Sequence, residues 1–149
     1  MSNSRDSTLE NWFKKEQLHL AAMNGDVGEI KRLLESGYLE SINEFDEFAL
    51  TPLIWAAKSG NIEAMKLLIA AGADINAHDE AKIGNTTISG VADEASYEML
   101  QALIQAGANP NIRGWMQLNA LDRAKTRKDA NSKKIINLLE SAARNFPET

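Results

Sequence analysis

The chain has 149 residues, of which 44% are hydrophobic and 25% are charged, and its formal net charge is −5. This length supports one domain, or a stack of small units, with a buried core. The absence of cysteine excludes disulfides, thiolate metal sites and cysteine nucleophiles, and two histidines are too few for a multi-histidine metal site. The negative charge argues against nucleic-acid binding, which requires a basic surface.

The N-terminal segment is polar, so it does not resemble a secretory signal, and no apolar run approaches the ~18 residues of a membrane span. We therefore expect a cytoplasmic protein without a membrane partner. Ser7 and Glu10 have the spacing of a capping box, and Leu9, Trp12, Phe13 and Leu20 have roughly helical spacing. This pattern predicts a tail and capping helix extension over residues 1–15.

The remainder of the chain repeats itself with a period of 35 residues. Gly37, Gly72 and Gly107 follow one another at this interval. Further columns with the same step are Ala22, Ala57 and Ala92, and Leu33, Leu68 and Leu103. Self-similarity at such a period indicates stacked supersecondary units.

The second unit shows the local pattern most clearly. The Thr51 hydroxyl can cap a first helix, and Pro52 fits the first turn of that helix. Gly60 permits a tight turn into a second helix, whose apolar stripe includes Leu68. Gly72 then ends that helix, because glycine adopts positive φ readily. The unit is therefore predicted to be a helix–turn–helix followed by a long polar turn.

Thr51–Ala57 and Gly72–Asn76 closely resemble the ankyrin repeat, whose first helix opens with T-P-L-H-x-A. Leu18–Ala22 and Gly107–Asn111 extend the resemblance to the first and third units, and Asn119–Ala124 extends it in degenerate form to a fourth. The resemblance implies an all-α solenoid of helix–turn–helix units joined by hairpin-like finger loops. The predicted repeats are residues 16–45 (N-terminal cap), 46–78, 79–113 and 114–144 (C-terminal cap), followed by a tail at 145–149.

The candidate chemical groups fall on scaffold positions of this pattern. His19 stands where the ankyrin motif has its histidine, so the resemblance assigns it a hydrogen-bonding role. Asp74, His78 and Asp79 could suggest a metal site, but both acids hold positions usual for the ankyrin turn. Phosphate loops and the G-x-S-x-G and H-E-x-x-H motifs are absent. We predict no enzyme activity, no catalytic or metal-binding residue and no cofactor.

In ankyrin-like folds, the finger tips and the residues between the two helices of a repeat line a surface that commonly docks proteins. Such tips are usually polar, whereas each finger of this chain carries apolar or aromatic residues, with Phe45, Phe48 and Trp115 as the expected anchors. We therefore predict a non-catalytic protein-interaction module. The expected contact residues are Phe45, Glu47, Phe48, Leu50, Lys58, Ser59, Lys82, Ile83, Asp93, Glu94, Arg113, Trp115, Met116 and Arg127.

Two features leave alternatives open. Residues 1–111 carry 8 basic and 17 acidic side chains, a net charge of −9, whereas residues 112–149 carry 8 and 4, a net charge of +4. The acidic part also fits an inhibitor or immunity-type protein that masks the basic active site of a toxin or enzyme. An effector or adaptor module is a further alternative.

Phe48, Leu50, Ile83 and Leu118 could instead fold into the fingers. We expect a monomer, while self-association stays open.

Overall fold

The computed structural model describes residues 16–37 and 42–147. The chain divides into two compact units, Met1–Ala73 and Asp74–Thr149. The described residues form eight α-helices and a short 3-10 helix at Trp115–Gln117, without a β-strand. This content confirms the all-α prediction. The predicted helix extension over residues 1–15 lies outside the described residues.

The first unit contains two helix pairs. Helix α1 covers residues 16–24 and α2 covers Val27–Glu35. Helix α3 covers Pro52–Lys58 and α4 covers Ile62–Ala70. Helix α4 contacts both α2 and α3, so the apolar stripe of α4 is covered by two helices. The fully buried large side chains of this unit are Leu18, Ile30, Leu33, Leu53, Ile54, Met65 and Leu68.

The second unit repeats this arrangement. Helix α5 covers Thr87–Val91 and α6 covers Tyr97–Gln105, while α7 covers Ala120–Ala124 and α8 covers Ser132–Ala143. The first helices of the two pairs, α5 and α7, contact each other, and the second helices, α6 and α8, also contact each other. Its fully buried large side chains include Ile88, Met99, Leu100, Leu103, Ile135 and Leu139. Each helix pair lies inside one predicted repeat, although the boundaries of those repeats stay predictions.

Capping side chains begin the helices where the sequence predicts them. The Thr51 hydroxyl accepts a hydrogen bond from the Ile54 N–H, with Pro52 at the first helical position. Thr86 caps α5 in the same way. Each cap satisfies a backbone donor that the helix itself cannot pair. Gly72, predicted to end α4, has φ +102, in the left-handed region that glycine adopts without strain.

Asparagine side chains tie one repeat to the next within each unit. The Asn61 amide, just before α4, donates to the Met23 carbonyl at the end of α1, at 3.0 Å. In the second unit the Asn111 amide donates to the Ala143 carbonyl at the end of α8, also at 3.0 Å. Both bonds satisfy carbonyl groups that a helix C-terminus leaves without a partner.

His19 has the scaffold role that the resemblance implied. Its side chain is buried, and Nε2–H donates to the backbone carbonyls of Glu44 at 2.8 Å and Leu50 at 3.1 Å. These two carbonyls stand at the base of the first finger, which we define as residues 44–50. The imidazole therefore fixes that finger to α1.

We predict that His19→Leu lowers the free energy of unfolding by about 2 kcal/mol, because two partly buried carbonyl groups lose their donor. Urea denaturation followed by far-UV circular dichroism measures the change. His78→Leu serves as the control, since the polar partners of His78 within the described residues are the nearby Asn76 carbonyl at 3.2 Å and Glu80, and its loss should cost less than about 1 kcal/mol. Equal effects of the two substitutions would contradict the role assigned to His19.

Candidate functional site

The first unit has an open groove of about 210 Å³ between α1, the first finger and α3. Its floor and walls are largely apolar, and its border is acidic. The residues that line it are Glu16, His19, Leu20, Met23, Asp46, Glu47, Phe48 and Trp55.

Two exposed apolar side chains face this groove from opposite elements. Phe48 at the finger tip is 66% exposed, and Leu20 on α1 is 49% exposed. The Phe48 ring stands edge-on to the Trp55 indole, with ring centroids 6.4 Å apart and an interplanar angle of 83°. Such T-shaped contact is a favoured aromatic geometry, so the two rings form a defined wall.

The Asp46 carboxylate holds that wall in place. Its Oδ1 accepts the backbone N–H groups of Phe48 at 2.9 Å and Leu50 at 3.0 Å, and its Oδ2 accepts the indole N–H of Trp55. Ala49, between the two, has φ +61. One carboxylate thus sets the finger turn and the direction of the indole together, so Asp46 has a positioning role.

The structure answers which finger residues are exposed. Phe48 and Glu47 are exposed, whereas Phe45 and Leu50 are half-buried. Leu118 is also half-buried. The possibility that Phe48 folds into its finger is therefore wrong.

Sequence reasoning left Leu20 and Trp55 out of the expected surface, although both line the groove. They are 35 residues apart, in one column of the repeat. This shared column was the available signal, because equivalent positions of stacked units lie on the same face.

The second unit exposes three apolar side chains on its fingers. Ile83 comes from the second finger (residues 77–85), and Trp115 and Met116 come from the third (residues 112–118); all three are exposed, Trp115 at 57%. Ile83 has φ +52 and Met116 has φ +60. The left-handed conformation is unfavourable for a β-branched residue such as Ile83, and strain of this kind is concentrated at functional sites.

Asn85 joins the second and third fingers. Its Oδ1 accepts the backbone N–H of Trp115 at 3.0 Å and Nη2–H of Arg123 at 3.1 Å. The same Arg123 nitrogen donates to the Trp115 carbonyl at 3.1 Å. Both the N–H and the carbonyl of Trp115 therefore form hydrogen bonds. These bonds fix the backbone position from which the exposed indole projects.

Gly114 makes this close contact possible. A Cβ atom built on Gly114 would lie 2.3 Å from Asn85 Oδ1 and 2.9 Å from Asn85 Cα. By its resemblance to the ankyrin repeat, the third finger has Gly114 at a position that is usually aspartate. The structure gives the reason for the departure, since any side chain there would collide with the second finger.

The other predicted contact residues of this unit are exposed: Lys82, Asp93, Glu94 and Arg113. The Arg113 guanidinium donates to the Gln117 carbonyl at 2.7 Å and to Asp122 at 3.3 Å. In the first unit, Lys58 and Ser59 are exposed at the end of α3. These positions suit a polar rim, and their contact with a partner stays a prediction.

Arg127 differs from the prediction. Its side chain is only 3% exposed, and Nη1–H donates to the carbonyls of Ala92 at 3.1 Å and Ala95 at 2.8 Å. Nη2–H donates to Asp129 at 2.6 Å, and this hydrogen bond holds the pKa of the Asp129 carboxyl below its usual value. The guanidinium is used inside the repeat, so we remove Arg127 from the contact surface.

The acids around His78 act locally. Asp74 Oδ1 accepts the Asn76 N–H at 3.0 Å, and Asp79 Oδ1 accepts the Ala81 N–H at 3.1 Å, as turn-forming aspartates do. Over residues 16–37 and 42–147, no three histidine or carboxylate side chains converge as a metal site. Over the same residues, no helix has the length and apolar character needed to cross a bilayer.

Comparison with known proteins agrees with the geometry. The family model described as ankyrin repeats (3 copies) matches residues 2–79 and 18–114. These matches cover more than half of the chain, which therefore belongs to the ankyrin-repeat family, and the predicted ankyrin solenoid is confirmed. Ankyrin repeats are generally protein–protein interaction modules and are typically not enzymes. A search of curated proteins finds no significant match.

We predict that Gly114→Ala lowers the free energy of unfolding by about 1–3 kcal/mol, because the methyl group overlaps the Asn85 backbone. The matched control is Gly28→Ala in α2, where the nearest atom would lie at 3.7 Å. There the substitution should stabilise by up to about 1 kcal/mol, as alanine favours helix. Urea denaturation measures both. A stabilising Gly114→Ala would contradict the close contact of the fingers.

We predict that Arg127→Ala lowers the free energy of unfolding by about 2 kcal/mol, because two carbonyl groups lose a charged donor. Thermal and urea denaturation measure it. Lys128→Ala, at an exposed neighbour, should change stability by less than about 0.5 kcal/mol. If the Arg127→Ala variant is as stable as this control, the structural role assigned to Arg127 is contradicted.

Proposed function

We propose that this chain is a non-catalytic interaction module that binds a protein partner through an exposed apolar patch on each unit. The first patch is the groove formed by Leu20, Met23, Phe48 and Trp55. The second patch consists of Ile83, Trp115 and Met116.

One observation carries the proposal. Among the described residues, the large apolar side chains that remain exposed are Leu20, Phe48, Ile83, Trp115 and Met116, and every one belongs to one of the two patches. Scattered exposed apolar residues need no explanation, but their concentration at the elements that ankyrin repeats use for binding does. Aromatic side chains at such places are typical binding hot spots.

Polar residues complete each patch. Glu47, Lys58 and Ser59 are exposed in the first unit, and Phe45 and Leu50 of the first finger are half-buried. In the second unit the exposed polar residues are Lys82, Asp93, Glu94 and Arg113. We propose that these residues orient the partner, because rim charges affect association rate and specificity more than affinity.

The function can be tested by affinity capture from the native source, followed by mass spectrometry. We expect Phe48→Ala and Trp115→Ala each to weaken capture by at least about tenfold, because truncation of an aromatic anchor costs about 2 kcal/mol or more. The double variant should capture no specific partner while keeping the helicity and melting temperature of the unmodified chain.

The matched control is Lys66→Ala combined with Gln101→Ala, two exposed positions on the second helices of their repeats. This variant should capture the same proteins as the unmodified chain. If the folded double aromatic variant captures its partner undiminished, the assignment of the two patches is refuted.

An inhibitor or immunity-type role is the second candidate, and the acidic border of the groove favours it. Glu16, Asp46 and Glu47 line the groove, and none of its described lining residues is lysine or arginine. A partner with a basic functional surface would be attracted to this border. Loss of the captured partner's own activity on binding would distinguish an inhibitor from a scaffold.

A further inference from the structure

We infer that the groove of the first unit recognises a protein segment in which one large apolar side chain stands next to a lysine or arginine. This inference rests on the proposed binding function, and it names the chemistry of the partner for one of the two patches. Three properties of the groove support it: its volume, the fixed direction of its walls, and the sign of its charge.

The volume limits the size of the occupant. At about 210 Å³ the groove is smaller than the roughly 300–1,000 Å³ of sites for drug-sized molecules. One large side chain inserted between Leu20 and Phe48 matches it better than a cofactor or metabolite does. Met23 adds a flexible thioether, which adapts to side chains of different shape.

The walls are fixed before any partner arrives. Asp46 bonds to the Phe48 N–H and to the Trp55 indole, and the His19 imidazole anchors the base of the finger. A site that is already ordered loses little conformational entropy on binding. An apolar side chain can therefore bind between existing surfaces instead of having to assemble them.

The charge determines what accompanies that side chain. Both oxygens of Asp46 are already used inside the finger. Glu16 and Glu47 remain at the border, and neither forms an ion pair with a lysine or arginine of the described residues. A partner cation near them would form charge-assisted hydrogen bonds, whereas an acidic segment would be repelled.

The test begins with selection of peptides from a random heptapeptide library displayed on phage. The full-length protein is the target, and the Phe48→Ala variant is used for counter-selection. We expect enriched peptides that have an aromatic or large aliphatic residue directly beside lysine or arginine. One enriched peptide is then synthesised, and its dissociation constant is measured by isothermal titration calorimetry.

Two double variants separate the border charges from net charge. Glu16→Lys with Glu47→Lys should raise the dissociation constant about tenfold or more, because it reverses the border. Glu35→Lys with Glu63→Lys makes the same change in net charge at exposed positions of α2 and α4, away from the groove. This control should change the dissociation constant by less than about twofold. Circular dichroism and melting temperature verify that both variants fold.

Several outcomes would overturn the inference. Enriched peptides without basic residues, no enrichment over the Phe48→Ala variant, or equal weakening by both charge variants would each do so. Light scattering measures the molar mass in solution. If the unmodified chain has the mass of a dimer and the Phe48→Ala variant has the mass of a monomer, a second copy of the chain occupies the groove instead. If capture of a partner depends on Trp115 but not on Phe48, this inference fails and the first patch is refuted, whereas a protein-binding function through the second patch still stands.

Discussion

A pair of short helices cannot bury its own apolar stripe, and this constraint organises the chain. In the first unit, α4 is covered by α2 and α3; in the second, α6 lies against α8 and α5 against α7. Both helices of a pair supply core side chains, such as Leu53 on α3 and Leu68 on α4, whereas the finger tips lie outside the core. Phe48 and Trp115, the exposed aromatic residues of the described part of the chain, are found on those fingers.

The histidine and the carboxylates of this chain serve the scaffold. His19 donates to two finger carbonyls, and Asp74 and Asp79 shape their own turns. Asp46 is the clearest case, because one carboxylate determines the finger turn and the direction of the Trp55 indole. The hydrogen bonds of these groups fix the conformation of the fingers and turns, and in this way they stabilise the proposed binding surface.

The sequence predicts the helices well because capping residues and glycines recur with the apolar period. It does not predict which finger side chains are exposed. Phe48 is exposed and Leu50 is half-buried because Ala49 adopts a left-handed backbone conformation between them. The sequence does not predict that conformation, because alanine rarely adopts it. Arg127 is similar, since its buried position depends on carbonyls more than 30 residues earlier in the chain. Leu20 and Trp55 could have been found from their shared column.

The contact between Gly114 and Asn85 has a consequence for exchange of repeats between proteins. A transplanted repeat that brings an aspartate to position 114 would collide with Asn85, because even a Cβ atom there would lie 2.3 Å from its Oδ1. The helix pairs α5–α6 and α7–α8 would therefore have to be transferred together, and duplication or recombination would be expected to keep the junction between the second and third fingers intact.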